Sequence, residues 1–167
     1  MEESEQPQKE FHVDITNDLE RRVADAFCVF DHAGNKSVDV REIGTILRAL
    51  GCVPTEAEVQ DIILRTEDRD CSGIIHLANF LPYVCELIND HKMQPATPEK
   101  LLEAFKVLDK DNKGFLDRAY LTELVTHECE PLIQEELDEM MVAAVDSATD
   151  TIPYEYYINQ LMVETDQ

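Results

Sequence analysis

The sequence predicts an all-α protein of two lobes, each built from two paired helix–loop–helix units, with about eight helices and short paired strands in the loops. Four acidic loops point to this fold class. They begin at Asp31, Asp68, Asp109 and Asp146, so that successive starts lie 37, 41 and 37 residues apart. Equal spacing within each half and a longer gap between the halves are typical of a duplicated pair of units. Apolar residues also recur at helical spacing before and after the loops.

The first loop carries the clearest motif. From its first aspartate to Glu42 it spans twelve residues, the length of the calcium-binding loop of an EF-hand. Val38 at position 8 is the aliphatic residue that we expect to pair with a sister loop. The residues that fill candidate metal-ligand positions are Asp31, Asn35, Ser37, Asp39 and Glu42.

Two residues of this loop depart from the motif. Position 3 is Ala33, which has no side-chain oxygen, and position 6 is Lys36, where a glycine normally takes a positive φ. A lysine in that conformation costs on the order of 1 kcal/mol and brings a cation near the site. Two interpretations stay open: a weak calcium site, or a loop that keeps the shape of the motif without the ion.

The second loop begins like a calcium site and ends unlike one. Its candidate ligands are Asp68, Asp70 and Ser72. Gly73 follows at the turn, but position 9 is His76, a poor ligand for a hard cation. Position 12 is Asn79, whose amide offers one neutral oxygen where the motif needs two charged ones. We therefore expect any calcium binding to be weak and confined to the N-terminal lobe.

The third and fourth loops are expected to bind no calcium. Lys113 places an ammonium group at position 5 of the third loop, and Tyr120 takes position 12. If Ile152 is the pairing aliphatic of the fourth loop, that loop is one residue short and its position 12 is Tyr156. The sequence thus predicts no cofactor in the C-terminal lobe.

Composition divides the chain into four segments. We predict a disordered tail over residues 1–14, an N-terminal EF-hand pair over 15–89, a linker over 90–98 and a C-terminal pair over 99–167. The linker has two prolines and no apolar period, which argues against one continuous central helix. Thr55 with Glu58 has the form of a capping box, and Thr97 followed by Pro98 marks the start of the fifth helix.

The overall charge and the residue usage narrow the function. With 36 acidic and 14 basic residues, the formal charge is −22. This argues against nucleic acid and membranes as partners and favours basic partners, although acidity also serves solubility. Five cysteines without a C-x-x-C pair indicate a reduced, intracellular protein. We find no signal peptide in the sequence and no apolar run long enough to span a membrane. The sequence also has no catalytic-triad spacing and no phosphate-binding loop, so we predict that the protein is not an enzyme.

Several stretches resemble a known family. Phe30-Asp31, Val38-Asp39 and the run from Glu42 to Gly51 resemble calmodulin and its relatives, which implies a calmodulin/troponin-C-like fold. A closer resemblance, to the dynein regulatory complex subunit 8 family (EF-hand calcium-binding domain-containing protein 2), rests on the run from Val38 to Ile46, on Lys113-Gly114-Phe115-Leu116 and on the tyrosine-rich fourth loop. That resemblance implies a subunit of the nexin–dynein regulatory complex, in the axonemal cytoskeleton of cilia and flagella, which links doublet microtubules and regulates dynein.

Two functions compete on this basis. A light chain would hold a basic, IQ-like amphipathic helix of another axonemal subunit in a lobe groove without needing calcium. A calcium sensor would open its lobes on binding the ion. The lack of a fully liganded loop favours the light chain. The residues expected to line its groove are Leu102, Phe105, Met140, Met141, Leu161 and Met162.

Overall fold

The computed structural model describes residues 13–69, 72–128 and 130–163. Within these residues there are eight α-helices and four short strands, each strand lying in the loop of one helix–loop–helix unit, and the predicted all-α fold is confirmed. The elements are α1 (Asp18–Val29), β1 (Ser37–Asp39), α2 (Ile43–Ala49), α3 (Glu56–Thr66), β2 (Ile74–His76), α4 (Leu77–Asn89), α5 (Pro98–Leu108), β3 (Leu116–Asp117), α6 (Arg118–His127), α7 (Gln134–Ala144), β4 (Thr151–Ile152) and α8 (Tyr154–Val163). The chain divides between Gln94 and Pro95 into two compact units.

Local capping explains where several helices begin. The side chain of Asn17 accepts a hydrogen bond from the Glu20 N–H at the start of α1. At the start of α3 the predicted capping box is present: the Thr55 hydroxyl accepts from the Glu58 N–H at 3.2 Å, and the Glu58 carboxylate accepts from the Thr55 N–H at 2.8 Å.

The N-terminal unit has a closed core. Strands β1 and β2 pair antiparallel, and Val38 lies opposite Ile75, as its place at position 8 of the loop predicts. Side chains from all four helices are buried around this pair, and fully buried members include Phe27, Ile43, Leu47, Ile62, Phe80 and Val84. The rings of Phe27 and Phe80 lie 5.2 Å apart. Each helix of this unit therefore has several buried side chains, and half-buried ones such as Leu19, Ile63 and Ile88 pack against them.

The segment predicted as a linker is partly folded onto the N-terminal unit. Met93 is only 7% exposed and packs in that core, and its carbonyl accepts a hydrogen bond from the Val53 N–H at 2.7 Å. A single buried methionine forms no apolar period, so the sequence pattern gives no sign of its burial. Of the predicted tail over residues 1–14, residues 1–12 lie outside the described residues, whereas Val13 packs against the same core.

The C-terminal unit has a smaller core and a helix that is only half covered. Strands β3 and β4 pair with Leu116 opposite Ile152, so Ile152 is the pairing aliphatic and the fourth loop is short. Thr97 caps α5 and Pro98 begins it, as predicted. Helix α5 contains no fully buried residue. Its apolar side chains Leu101, Leu102, Phe105 and Leu108 are all half-buried.

Among the described helices, none combines the length and apolar character needed to cross a membrane.

Cys28, Cys52 and Cys85 are free thiols, respectively exposed, half-buried and buried. Cys71 and Cys129 lie outside the described residues.

Candidate functional site

The first loop has the predicted shape. The Asp31 carboxylate accepts hydrogen bonds from the Lys36 N–H at 2.7 Å and the Asn35 N–H at 3.3 Å. Lys36 has a φ of 59°, so it does occupy the left-handed conformation that its position requires. The Ser37 hydroxyl donates to the Asn35 side-chain oxygen at 2.6 Å. Two candidate ligand side chains are thereby bonded to each other.

A guanidinium group holds the ninth position of the first loop. Asp39 accepts hydrogen bonds from Nε and Nη2 of Arg41 at 2.9 and 2.8 Å, and from the Arg41 N–H at 2.9 Å. These bonds and the adjacent charge lower the pKa of Asp39 to about 2. Glu42 is half-buried at the start of α2 and makes no capping hydrogen bond there. Glu42 is therefore a carboxylate of this loop that no capping bond occupies.

The candidate ligand positions of the second loop bind one another. Asp68 Oδ2 lies 3.2 Å from Nε2 of His76, and Asp68 Oδ1 accepts a hydrogen bond from the Asn79 amide at 3.3 Å. The same amide donates to the Thr66 carbonyl at 3.3 Å. Positions 1, 9 and 12 of the loop are thus joined directly. Of the other candidate ligands, Ser72 is exposed and Asp70 lies outside the described residues.

The third loop is organised around a buried carboxylate. Asp109 is 4% exposed, and its oxygens accept hydrogen bonds from the Lys113 N–H (3.0 Å), the Gly114 N–H (2.8 Å) and the Tyr154 hydroxyl (2.9 Å). Burial alone would raise the pKa of Asp109, but these donors and the Lys113 charge hold it below its ordinary value. The Lys113 ammonium group also lies 3.2 Å from Asp111.

The fourth loop is a tight turn that uses its own aspartate. Asp146 Oδ1 accepts from the Ala148 N–H at 2.9 Å, and Oδ2 accepts from the Thr149 hydroxyl at 3.2 Å. The Asp150 carboxylate lies 3.3 Å from the Arg118 guanidinium group. The carboxylates of this loop are therefore bonded to neighbouring groups of the protein.

The donor set as a whole fits calcium poorly. In every loop, the first or ninth carboxylate already accepts hydrogen bonds from protein groups. Across residues 13–69, 72–128 and 130–163, no group of three or more His, Cys, Asp or Glu side chains is placed to hold a metal ion. The sequence identified Lys113 and Asn79 as unfavourable to calcium but missed Arg41 and Tyr154. Arg41 was visible two residues after position 9, whereas Tyr154 contacts Asp109 only because the two hands pair.

The predicted groove residues lie in the C-terminal unit. Leu102 and Phe105 of α5, Met140 of α7 and Leu161 of α8 are half-buried and pack against its core. Met162 is also half-buried. Met141 is only 6% exposed, so it belongs to the core beneath the groove rather than to its surface.

A surface cavity of about 370 Å³ runs along α5. It is lined by Glu99, Leu102, Glu103, Lys106 and Val107. Val107 is 71% exposed. The cavity thus combines apolar side chains with two carboxylates and one ammonium group on one helix.

The C-terminal unit is strongly acidic. No lysine or arginine follows Arg118, whereas residues 119–167 contain twelve aspartates and glutamates. Four of these carboxylates, Glu135, Glu136, Asp138 and Glu139, are exposed on α7. Basic side chains of a ligand would meet mainly negative charge on this unit.

Comparisons with known proteins identify relatives over most of the chain, although no protein-family model matches. Dynein regulatory complex protein 8 of Mus musculus is 44% identical over 147 residues, which cover 88% of this chain and 90% of the mouse protein. The Homo sapiens protein of the same name is 43% identical over 114 residues, 68% of this chain and 42% of the human protein.

Solved structures give the same picture of the fold. The Physarum polycephalum myosin II regulatory domain matches with a TM-score of 0.67 and 27% identity, over 85% of this chain and 93% of the matched one. Mlc1p bound to IQ2 of Myo2p, a class V myosin, matches with a TM-score of 0.63 and 30% identity, over 83% and 95% of the two chains. The fold is therefore that of EF-hand light chains, and the mouse relative shows that the chain belongs to the dynein regulatory complex protein 8 family.

Proposed function

We propose that the protein is a light-chain-like subunit of the nexin–dynein regulatory complex in the axoneme of cilia and flagella. It holds a basic amphipathic helix of a larger subunit in the groove of its C-terminal unit, and it does so without needing calcium. The observation that carries this proposal is the half-covered apolar face of α5.

Burial differs between the two units in a way that favours the C-terminal one. In the N-terminal unit, every helix has several buried side chains, and ten of the eleven largest side chains under 2% exposed lie there. In the C-terminal unit, α5 contributes only half-buried leucines and Phe105. Covering those side chains with a partner helix would gain about 25 cal/mol per Å² of apolar area removed from water. An amphipathic helix is the recurring ligand of such a surface.

Charge defines the other face of that partner. The cavity along α5 is bordered by two carboxylates, Glu99 and Glu103, and one ammonium group, Lys106, and no lysine or arginine follows Arg118 in the chain. A helix with lysines and arginines beside its apolar stripe therefore complements this unit. At physiological ionic strength the charges act over about 8 Å, so salt should slow association more than it speeds release.

Calcium independence is supported by the hydrogen bonds of the loops. A sensor opens because the ion draws its ligands together, and the ion must displace whatever those ligands already bind. Here Asp39 binds Arg41, Asp68 binds His76 and Asn79, and Asp109 binds Tyr154. The placement in the axoneme and the binding of an IQ-like helix are drawn from the named relatives and from the light chain bound to an IQ segment.

The test uses the full-length protein and a synthetic amphipathic peptide of about 20 residues, with leucines on one helical face and lysines and arginines on the other. A peptide of the same composition in scrambled order is the control. We expect equal affinity in excess chelator and in calcium, measured by titration calorimetry. Binding that requires calcium, or equal binding of the scrambled peptide, would count against the proposal.

Two matched variants locate the binding surface. Val107→Asn changes a side chain that lines the cavity and is 71% exposed, so the fold should tolerate it. Val29→Asn makes the same change at a 70% exposed position of the N-terminal unit. In the complex, the peptide would cover Val107 and remove it from water. Losing that apolar contact should weaken peptide binding about tenfold in Val107→Asn and leave it unchanged in Val29→Asn. The reverse ranking would move the site to the N-terminal unit.

A calcium sensor with a weak N-terminal site is the second candidate, and Glu42 is the observation that favours it. This glutamate stands at position 12 of a full-length loop, is half-buried and makes no capping hydrogen bond. Position 12 is where an EF-hand supplies its bidentate ligand. Calcium-dependent peptide binding that disappears in Glu42→Gln would support this alternative.

A further inference from the structure

One buried hydrogen bond joins the two hands of the C-terminal unit. The Tyr154 hydroxyl at the start of α8 donates to Asp109 Oδ2 at 2.9 Å, across a separation of 45 residues in sequence. Both residues are buried, at 3% and 4% exposure. The carboxylate is the first position of the third loop, which in an ion-binding hand would face the metal.

The tyrosine is held as a donor by its surroundings. Burial, followed by the hydrogen bond and the charge of Asp109, raises the pKa of Tyr154, so the hydroxyl keeps its proton at neutral pH. The carboxylate keeps its charge, because its donors hold the pKa of Asp109 below the ordinary value. A protonated donor and a charged acceptor form the stronger class of hydrogen bond.

The same tyrosine ring supports a groove residue. The Phe105 ring stacks on the Tyr154 ring, with centroids 5.4 Å apart and planes 8° from parallel, and meets Tyr157 edge-on at 6.4 Å. Phe105 is half-buried on α5, the helix whose apolar face is only partly covered. Tyr154 therefore contacts the end of α5 in two ways, through its hydroxyl at Asp109 and through its ring at Phe105.

We propose that Tyr154 is a latch that fixes α5 against α8 and so positions the partner groove, taking the place of a metal ion in the third loop. Its role in partner binding rests on the proposed function, whereas its role as a latch is a property of the free protein. A cation that approached Asp109 would have to displace the Tyr154 hydroxyl, which would free α5 from α8. In the C-terminal unit, ion binding would thus free the groove residues of α5 from their position against α8.

The test removes one oxygen and keeps the ring. Tyr154→Phe retains the stack on Phe105 and deletes the donor. Tyr156→Phe deletes the same atom from the same helix at a position that is 62% exposed, and is the matched control. Amide hydrogen exchange on the free full-length protein is the first measurement. Loss of a hydrogen bond to a charged group should speed exchange at Lys113 and Gly114 about tenfold in Tyr154→Phe only.

Two further measurements test whether Tyr154 positions the partner groove or only stabilises the third loop. In Tyr154→Phe the pKa of Asp109, followed by carbon NMR of its carboxyl group, should rise because a donor to the charged form is lost. Affinity for the basic amphipathic peptide should fall about tenfold, because a smaller fraction of molecules has the groove in place. The circular dichroism of the variant should stay that of the wild type. Unchanged peptide affinity with faster exchange would overturn the positioning role, and unchanged exchange would overturn the latch.

A second variant tests the same hydrogen bond from the side of its acceptor. Asp109→Asn leaves an oxygen to accept the Tyr154 hydroxyl but removes the charge. In a double-mutant cycle, Tyr154→Phe should cost less in the Asp109→Asn background than in the wild type, since the hydroxyl acts through that carboxylate. Equal cost in both backgrounds would refute the pairing. If the wild type fails to bind the peptide, the proposed function fails, and the exchange measurements still decide the latch.

Discussion

Replacing Asn79 with glutamate should turn the second loop from a self-bonded structure into a calcium-dependent one. The Asn79 amide donates to Asp68 Oδ1 at 3.3 Å and to the Thr66 carbonyl at 3.3 Å. In Asn79→Glu both donations are lost and a second carboxylate faces Asp68. The apo protein should therefore lose stability in its N-terminal unit. The same substitution supplies the bidentate ligand that an EF-hand has at position 12.

The size of the loss follows from the two contacts. The side chain of Asp68 is 28% exposed, so its hydrogen bond from the amide is partly screened by water and contributes about 1 kcal/mol. Repulsion between two carboxylates about 4 Å apart adds between roughly 1 kcal/mol in water and 4 kcal/mol at a protein surface. Because Asn79 is exposed, the repulsion lies near the lower figure, so the total loss is about 2 to 3 kcal/mol. In a unit of this size such a loss lowers the melting temperature by roughly 10 to 20 °C.

The assay is differential scanning calorimetry of the full-length protein in chelator and in calcium. Asn79→Ala is the control, because it removes the donor and adds no charge, so it should lower the melting temperature less and respond to calcium no more than the wild type. In Asn79→Glu, calcium at about a hundred times the dissociation constant should restore about 2.7 kcal/mol. If apo Asn79→Glu melts like the wild type, the hydrogen bond from Asn79 to Asp68 does not stabilise the second loop, and the prediction is wrong.

Three other predictions concern single features. Glu42→Gln should abolish whatever calcium heat the first loop gives in calorimetry, and heat that survives this change would place the ion elsewhere. Limited proteolysis should cut first between Gln94 and Thr97, since the preceding residues are folded onto the N-terminal unit, and a first cut inside a helix would contradict this boundary. Arg41→Gln should lower the melting temperature slightly at neutral pH. The pKa of Asp39 lies at about 2, below its ordinary value of 3.8, so the pair stabilises the fold above about pH 4. The difference from the wild type should close as the pH falls towards 2.

The parts of the fold that sequence predicted well are those set by local spacing. The twelve-residue count places Val38 opposite Ile75, and the short fourth loop places Ile152 opposite Leu116, both of which the strand register confirms. The positive φ of Lys36 follows from the turn that position 6 must make. Each of these features depends on residues a few positions apart.

Sequence failed where a contact depends on how two hands pair. Tyr154 reaches Asp109 from 45 residues away, and a tyrosine at the start of a helix carries no sign of that acceptor. Met93 is buried in the N-terminal core although it follows the last helix of that unit, so no apolar period announces it. From ligand counting we predict poor calcium sites, and this stays a prediction. Ligand counting could not show that protein donors occupy the oxygens that remain.

The occupied loops and the half-covered helix have a common physical meaning. In a sensor, the binding energy of calcium offsets the cost of exposing an apolar groove. Here the internal donors fix the loops, while leucines of α5 and Phe105 stay partly exposed without an ion. The C-terminal unit therefore forgoes part of the stabilisation that full burial of these side chains would give. A partner helix that covers α5 would stabilise the unit by RT ln(1 + [L]/Kd), where [L] is the concentration of the free partner and Kd its dissociation constant. If the proposed function holds, this gain depends on the concentration of the partner and not on that of the ion, so we expect the stability of this unit to follow assembly rather than a calcium signal.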